Sequence, residues 1–314
     1  MKEIKNVLIC GIGAIGSIYA DKIHKKFPKN LKILVDKKRF DRYQNSPVIF
    51  NGEALKLNYT LPENKDFKAD LIIIATKFDG LEDAIKNIKN FVDEDTVILS
   101  LLNGITSEEI IAKNYGAEKI LYSYYIGNSA IRKGNIITHD GVCTIVFGAK
   151  EENKNVKRVQ KFFEKAGINY EIPEDIIHSL WKKYLLNVST NQPSAILRMT
   201  FGQMQKNSKF RVFMENIMLE VIELAKASGV KNADTLLDEA LENFNLMSPE
   251  GKTSMLQDVE SGRKTEVKMF AQTIVELGQK YNIQTPYNMV LLQMLEIIQE
   301  NIELTTNEMN KAIL

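Results

Sequence analysis

The chain opens with four apolar residues, Val7-Leu-Ile-Cys10, followed at once by glycines at 11, 13 and 16 and by an apolar-periodic stretch from about Ala14 to Lys26. A short unbroken apolar run reads as a strand buried on both faces, and the 3.6-residue spacing behind it reads as a helix. The alternation repeats. Leu31–Val35, Asp70–Ala75, Val97–Leu102 and Ile120–Tyr125 predict further buried strands, with helices over about Leu81–Phe91 and Ser107–Asn114. Val48–Tyr59 predicts short strands around the turn dipeptide Asn51-Gly52. Together these segments predict an α/β fold, a doubly wound parallel sheet with helices on both faces.

The pattern changes after residue 125. Ser129–Ile131, Asn135–His139 and Cys143–Gly148 are short runs separated by Gly134 and Asp140-Gly141, and they predict antiparallel strands closing the sheet edge. A helix over about Val156–Ala166 and a strand over Asn169–Ile172 precede Pro173, the expected boundary. From Asp175 the amphipathic segments Ile176–Val188, Arg211–Ser228, Ala233–Phe244, Glu266–Tyr281 and Thr285–Glu303 are all helical in period.

The order apolar run, Gly11-Ile12-Gly13-Ala14-Ile15-Gly16, helix is the Rossmann-type fingerprint for a dinucleotide. Gly11 allows the tight turn, Gly13 lets backbone approach a pyrophosphate, and Gly16 lets helix and strand pack closely. The helix N-terminus offers N–H groups and a positive dipole end to phosphate. The expected organisation is therefore a dinucleotide-binding Rossmann-type domain over 1–173 and an all-helical substrate and catalytic domain over 174–314. A cleft between two such domains is a standard place for a small substrate.

Composition narrows the class. The chain has 314 residues, 44% hydrophobic and 26% charged, which is ordinary for a globular protein with two sizeable cores. A formal net charge of +1 offers no electrostatic footprint for nucleic acid or an anionic membrane. The apolar runs are too short to span a bilayer, and the charged start Met1–Asn6 does not read as a signal peptide. Cys10 and Cys143 sit in apolar runs and read as small buried hydrophobes, not as a disulfide or a metal site. A cytoplasmic location is expected. The apolar content of the helical half suits either a homodimer or a core.

Asp36 ends the second strand twenty residues after Gly16, where a carboxylate that binds the ribose of NAD is expected. Lys37, Lys38 and Arg39 follow directly and offer cations to the 2′-phosphate of NADP, or else begin a solvated helix. Lys77 lies just past the end of the third buried strand, where ligands bind in open α/β sheets. In the helical half, Lys183, Asn187 and Asn191 recur at i, i+4 and i+8 among Trp181, Leu185, Leu186 and Val188. They stack along one helix face and, amid apolar surface, need partners. The competing reading is a lysine reaching solvent and asparagines capping a helix end near Pro193. Ser254 with Gln257 matches a capping box, and Glu266 suits a first helical turn.

In combination these pieces resemble the ketopantoate reductase family of NAD(P)H-dependent 2-dehydropantoate 2-reductases. The resemblance spans nearly the whole chain. It rests on Asn103-Gly104 after the fourth main strand, on Trp181 with Lys183-x3-Asn187-x3-Asn191, and on Ser254-Met-Leu-Gln-Asp258 with Glu266 twelve residues after Ser254. It implies reduction of 2-dehydropantoate to (R)-pantoate, a step toward pantothenate and coenzyme A. It implies Lys183 as proton donor to the ketone and Glu266 as the carboxylate coupled to it. Asn187, Asn191 and Ser254 match substrate-binding residues, and Asn103 matches the asparagine near the nicotinamide. Lys77 and Lys37 match cations near the adenosine phosphate.

Two departures bear on specificity. After Glu266 the family usually has an acidic residue and then an Asn-Gly pair, whereas here the run is Val267-Lys268-Met-Phe-Ala271-Gln272. Asp36 would repel a 2′-phosphate, so NAD(H) stays open beside NADP(H), which Lys37 and Lys77 slightly favour. The alternatives are a related D-2-hydroxyacid dehydrogenase acting on another 2-oxo acid, a β-hydroxyacid dehydrogenase, against which Ser254 and Glu266 argue, and a non-catalytic dinucleotide sensor.

Overall fold

The computed structural model describes residues 2–127 and 130–313. In chain order the first part carries β1 (Val7–Cys10), α1 (Ala14–Lys26), β2 (Leu31–Leu34), α2 (Lys37–Asn45), β3 (Ile49–Phe50), β4 (Glu53–Ala54), β5 (Tyr59–Thr60), β6 (Leu71–Ile74) and α3 (Leu81–Asn87). It continues with β7 (Val97–Ser100), α4 (Ser107–Tyr115), β8 (Ile120–Gly127), β9 (Ile131–Lys133), β10 (Ile136–Thr138), β11 (Cys143–Gly148), α5 (Lys154–Ala166) and β12 (Asn169–Glu171). These elements form one compact unit, Met1–Ile176.

Eight strands make the main sheet in the order β12-β11-β8-β7-β6-β1-β2-β5. From β5 through β8 every pairing is parallel. Alternate residues serve opposite faces, as strand geometry requires. Val7, Ile9, Ile33, Ile73 and Leu99 join Ile18 and Ile23 of α1 and Phe162 and Phe163 of α5 in one core. Leu8, Cys10, Ile72, Ile74 and Ile98 join Leu81 and Ile85 of α3 and Ile111 of α4 in the other. Both faces are covered, so the strands read as unbroken apolar runs. Burial raises the Cys10 thiol to about 12, which makes it inert at neutral pH.

The expected closure of the sheet edge needs correction. Only Cys143–Gly148 joins the main sheet there, antiparallel to β8. The other two runs contribute β9 and β10 to a separate sheet of order β4-β3-β10-β9, in which β10 pairs parallel with β3. Ser129, expected to open one of those runs, lies outside the described residues. The small sheet buries one side only: Ile137 is inaccessible while Ile136 and Thr138 are exposed. The helix expected over Leu81–Phe91 stops at Asn87. The Phe91 carbonyl is taken by the Ala69 amide at 2.9 Å, which draws the chain out of helical geometry.

The second compact unit, Ile177–Leu314, is helical throughout its described residues. It holds α6 (Ile176–Leu197), α7 (Phe201–Lys206), α8 (Ser208–Ala227), α9 (Leu236–Asn245), α10 (Ser254–Glu260), α11 (Ala271–Tyr281) and α12 (Pro286–Ile313). α6 does not end near Val188 but runs through Pro193, so Asn187 and Asn191 are interior to it and cap nothing. The single helix expected over Glu266–Tyr281 is broken. Val267–Met269 is a 3₁₀ turn, Phe270 adopts φ −102°, ψ −92°, and α11 starts at Ala271. Among the described residues no helix is long and apolar enough to cross a membrane.

Candidate functional site

β1 pairs with β2 on one side and β6 on the other, so the strand order reverses there. Such a switch point opens a crevice at the strand C-termini. The glycine loop lies at that end. Gly11 has φ +104°, and a Cβ on it would stand 2.6 Å from the Ala75 carbonyl oxygen. A Cβ on Gly16 would stand 1.9 Å from the Gly11 oxygen, so helix and strand meet only because both are glycine. A Cβ on Gly13 would meet nothing within 4 Å, so this backbone faces open space.

Gly13 is the N-cap of α1 and supplies no side chain to the first-turn amides, which helix geometry leaves without intrahelical partners. Beside the loop, Thr76 has a buried hydroxyl oxygen with no partner among the described residues. An uncapped helix start, an open approach at Gly13 and a waiting hydroxyl fit the pyrophosphate of a dinucleotide.

Asp36 caps α2. One carboxylate oxygen accepts from the Arg39 amide at 2.7 Å and the other from the Arg39 guanidinium at 2.9 Å. Lys37 donates to Asp41 at 2.8 Å and lies over the Phe40 ring. Lys77 is exposed and precedes the 3₁₀ turn Phe78–Gly80. Asn103 is half-buried beyond β7, and Gly104 behind it needs φ +94°.

A buried network, not foreseen from the sequence, underlies that loop. Glu108 is 2% exposed and accepts from the Ser107 hydroxyl at 2.8 Å and the Ser123 amide at 3.3 Å. The Ser100 and Ser107 hydroxyls lie 2.8 Å apart. A second unforeseen group is Arg132 of β9, whose guanidinium donates to the carbonyl of Ile12 inside the glycine loop at 2.7 Å.

In the helical unit, Lys183, Asn187 and Asn191 lie along α6 with falling exposure: the first two are half-buried and Asn191 is buried. Two contacts tie this helix to the downstream residues. The Tyr184 hydroxyl donates to the carbonyls of Met269 and Phe270 at 3.0 and 3.1 Å, which anchors the turn opened by Glu266. The Ser194 and Thr253 hydroxyls lie 2.5 Å apart, which anchors the start of α10. Thr253, not Ser254, is the N-cap, because its side chain accepts from the Leu256 amide. The capping-box reading of Ser254 is thereby corrected: its hydroxyl is exposed at the first helical position, and Gln257 donates instead to the Lys252 carbonyl at 3.1 Å. Glu266 is half-buried, and the neighbouring Thr265 hydroxyl is buried with no partner among the described residues. The helical unit thus carries an amine and two carboxamides on α6, a hydroxyl at Ser254 and a carboxylate at Glu266. That inventory suits a small polar substrate with a reducible carbonyl.

A reversed-order parallel sheet with a fingerprint loop at the reversal defines a dinucleotide-binding protein. Residues 7–152 match the family described as Ketopantoate reductase PanE/ApbA, and residues 175–299 match its C-terminal part. The 2-dehydropantoate 2-reductase of Aquifex aeolicus (strain VF5) is 28% identical over 301 residues, covering 93% of this chain and 96% of its own. The crystal structure of 2-dehydropantoate 2-reductase from Geobacter metallireducens GS-15 superposes with a TM-score of 0.79 at 25% identity, covering 93% of this chain and 99% of that one. A ternary structure of D-mandelate dehydrogenase with NADH and anilino(oxo)acetate has the same fold, with TM-score 0.84, 23% identity and coverage of 95% and 99%. The chain belongs to the ketopantoate reductase family.

Proposed function

We propose that the chain reduces 2-dehydropantoate to (R)-pantoate, with NADPH favoured over NADH. The observation that carries this is the α6 face. Lys183, Asn187 and Asn191 share one helix, and Tyr184 and Ser194 on it hold the segments of Glu266 and Ser254.

In this reading the cofactor is held by Gly11, Ile12, Gly13, Ala14, Ile15 and Gly16 through backbone N–H groups, with Lys37 and Lys77 toward the adenosine phosphate and Asn103 toward the nicotinamide. When bound, the cofactor supplies a hydride to the C2 carbon of the ketone. Lys183 holds its ammonium at the ketone oxygen, where negative charge develops, and gives up one Nζ proton as the O–H bond forms. Glu266 is the carboxylate that orients that amine. Asn187, Asn191 and Ser254 bind the substrate carboxylate and hydroxyls without adding competing full charges.

The cofactor preference has structural support. Both Asp36 oxygens accept from Arg39, which offsets the repulsion of a 2′-phosphate; Lys38 and Lys37, the latter paired with Asp41, follow Asp36 in sequence. The exposed apolar residues Val290, Met294 and Ile297 on α12 support a homodimer in which a second copy covers them.

A second reading is a reductase for another 2-oxo acid. Lys268 and Gln272 favour it, because they stand where the family pattern is acidic and then small. Lys183→Ala tests the mechanism in either case. Turnover should fall about 10²- to 10⁴-fold, with the dissociation constant for the reduced dinucleotide unchanged. Undiminished turnover would remove Lys183 from the chemistry.

A further inference from the structure

Arg132 reaches the glycine loop from a strand of the small sheet, 120 residues away in sequence. Its three nitrogens have separate tasks. Nε donates to the Gly134 carbonyl at 2.8 Å, which fixes the fork on its own turn. Nη2 donates to the Tyr43 hydroxyl at 3.3 Å, and Nη1 donates to the Ile12 carbonyl at 2.7 Å. Tyr43 is a rigid stop: it is 4% exposed and stacks on Tyr59 with ring centroids 5.3 Å apart. Burial alone would raise its phenol, but the hydrogen bonds and charges of Arg132 and Arg42 outweigh that and hold it below the ordinary value.

We propose that Arg132 is a positioning residue for cofactor binding, acting by fixing the orientation of the Ile12–Gly13 peptide. The peptides are trans, and in a trans unit C=O and N–H point opposite ways. Holding the Ile12 oxygen therefore turns the Gly13 N–H to the side away from Arg132. A peptide that precedes glycine is otherwise easily rotated, because glycine accepts nearly every φ. Rotation would bring a carbonyl oxygen to the side that must accept phosphate. The next carbonyl is restrained in the same way: the Gly13 oxygen accepts from the Ser17 hydroxyl at 2.7 Å and the Ser17 amide at 3.1 Å. Both loop carbonyls are thus withdrawn and the N–H groups are left to the ligand.

This rests on the reading that the loop holds a dinucleotide pyrophosphate. The test is the dissociation constant of the full chain for NADH, NADPH and 2′-AMP, measured by calorimetry for wild type, Arg132→Ala and Arg132→Lys, with apo melting temperatures alongside. Loss of a charge-assisted hydrogen bond predicts that Arg132→Ala weakens NADH and NADPH alike, by about tenfold to a hundredfold. Their ratio should stay constant, and 2′-AMP, which lacks the pyrophosphate, should bind as before. Arg132→Lys keeps one charged donor and should fall between, which preserves the test if the alanine variant fails to fold. Equal affinity across the three proteins overturns the proposal. So does a loss confined to NADPH and 2′-AMP, which would make Arg132 a direct ligand of the 2′-phosphate. A wild-type protein that binds neither dinucleotide overturns the cofactor reading as well.

Discussion

Tyr184, the residue after Lys183, shares its phenolic proton between the carbonyls of Met269 at 3.0 Å and Phe270 at 3.1 Å. Its ring also stacks on that of Phe270, with centroids 6.2 Å apart at 21°. Met269 ends the turn that Glu266 opens and Phe270 follows it, so one side chain ties the lysine's helix to the carboxylate's turn. Tyr184→Phe keeps the ring and deletes only the donor. The Met269 carbonyl loses this donor, while that of Phe270 keeps the Ile274 amide at 3.1 Å, at a cost of about 1–3 kcal/mol. The melting temperature should drop and kcat should fall more than KM rises, as thermal melts and steady-state kinetics would reveal. A variant that melts lower but keeps wild-type kcat would limit Tyr184 to stability.

Asp36 sits where two demands meet: it caps α2 and it carries charge close to the position expected for the adenosine ribose. Asp36→Asn keeps an oxygen for the cap and removes the charge, whereas Asp36→Ala removes both and should cost about 1 kcal/mol more in stability. Both variants should raise the NADPH/NADH ratio of kcat/KM. If the ratio does not move in either, Asp36 is not near the ribose.

The acid limb of stability should carry the mark of Glu239. Burial alone would raise its carboxyl, but the Thr235 hydroxyl, Lys182 and His178 outweigh that and hold it at about 2, against 4.5 for the free group. A carboxyl lowered in the folded state contributes stability that is fully present above the unfolded value and lost as pH falls through the folded one. The window is therefore from about pH 4.5 down to about 2. Urea titrations of wild type and Glu239→Gln across that window should converge toward the acid end and separate toward neutrality. Parallel curves would mean that the cluster of Glu239, His178 and Lys182 adds nothing.

Much of the parallel sheet could be read from residue pattern because each strand is buried on both faces. Val7–Cys10 and Leu71–Ile74 are apolar without interruption, and nothing but a buried strand of that length fits between turn residues. The small sheet was not legible in that way. β10 finds β3 from more than eighty residues away, and two- and three-residue strands carry too little periodicity to name their partners. The same distance hides Arg132, whose partner Ile12 has no local counterpart near residue 132. In the helical unit, Pro193 suggested an end to α6. The helix nonetheless runs through it to Leu197, giving up only the one backbone donor that a proline lacks. The polar residues themselves were legible, because a lysine and two carboxamides at i, i+4 and i+8 on an apolar helix are costly unless used. What brings Ser254 and Glu266 to that helix was not: the Thr253 and Tyr184 contacts are tertiary.

The most direct measurement is the loss of reduced-nicotinamide absorbance with purified protein, 2-dehydropantoate and a panel of other 2-oxo acids, each with NADPH and with NADH. 2-Dehydropantoate should give the highest kcat/KM, by about tenfold or more over the panel, and NADPH should be the better donor. Faster turnover of another 2-oxo acid would contradict the substrate assignment and direct attention to Lys268 and Gln272. No turnover of any of them, with the dinucleotide still bound, would contradict the proposed role of Lys183 and leave a binding protein.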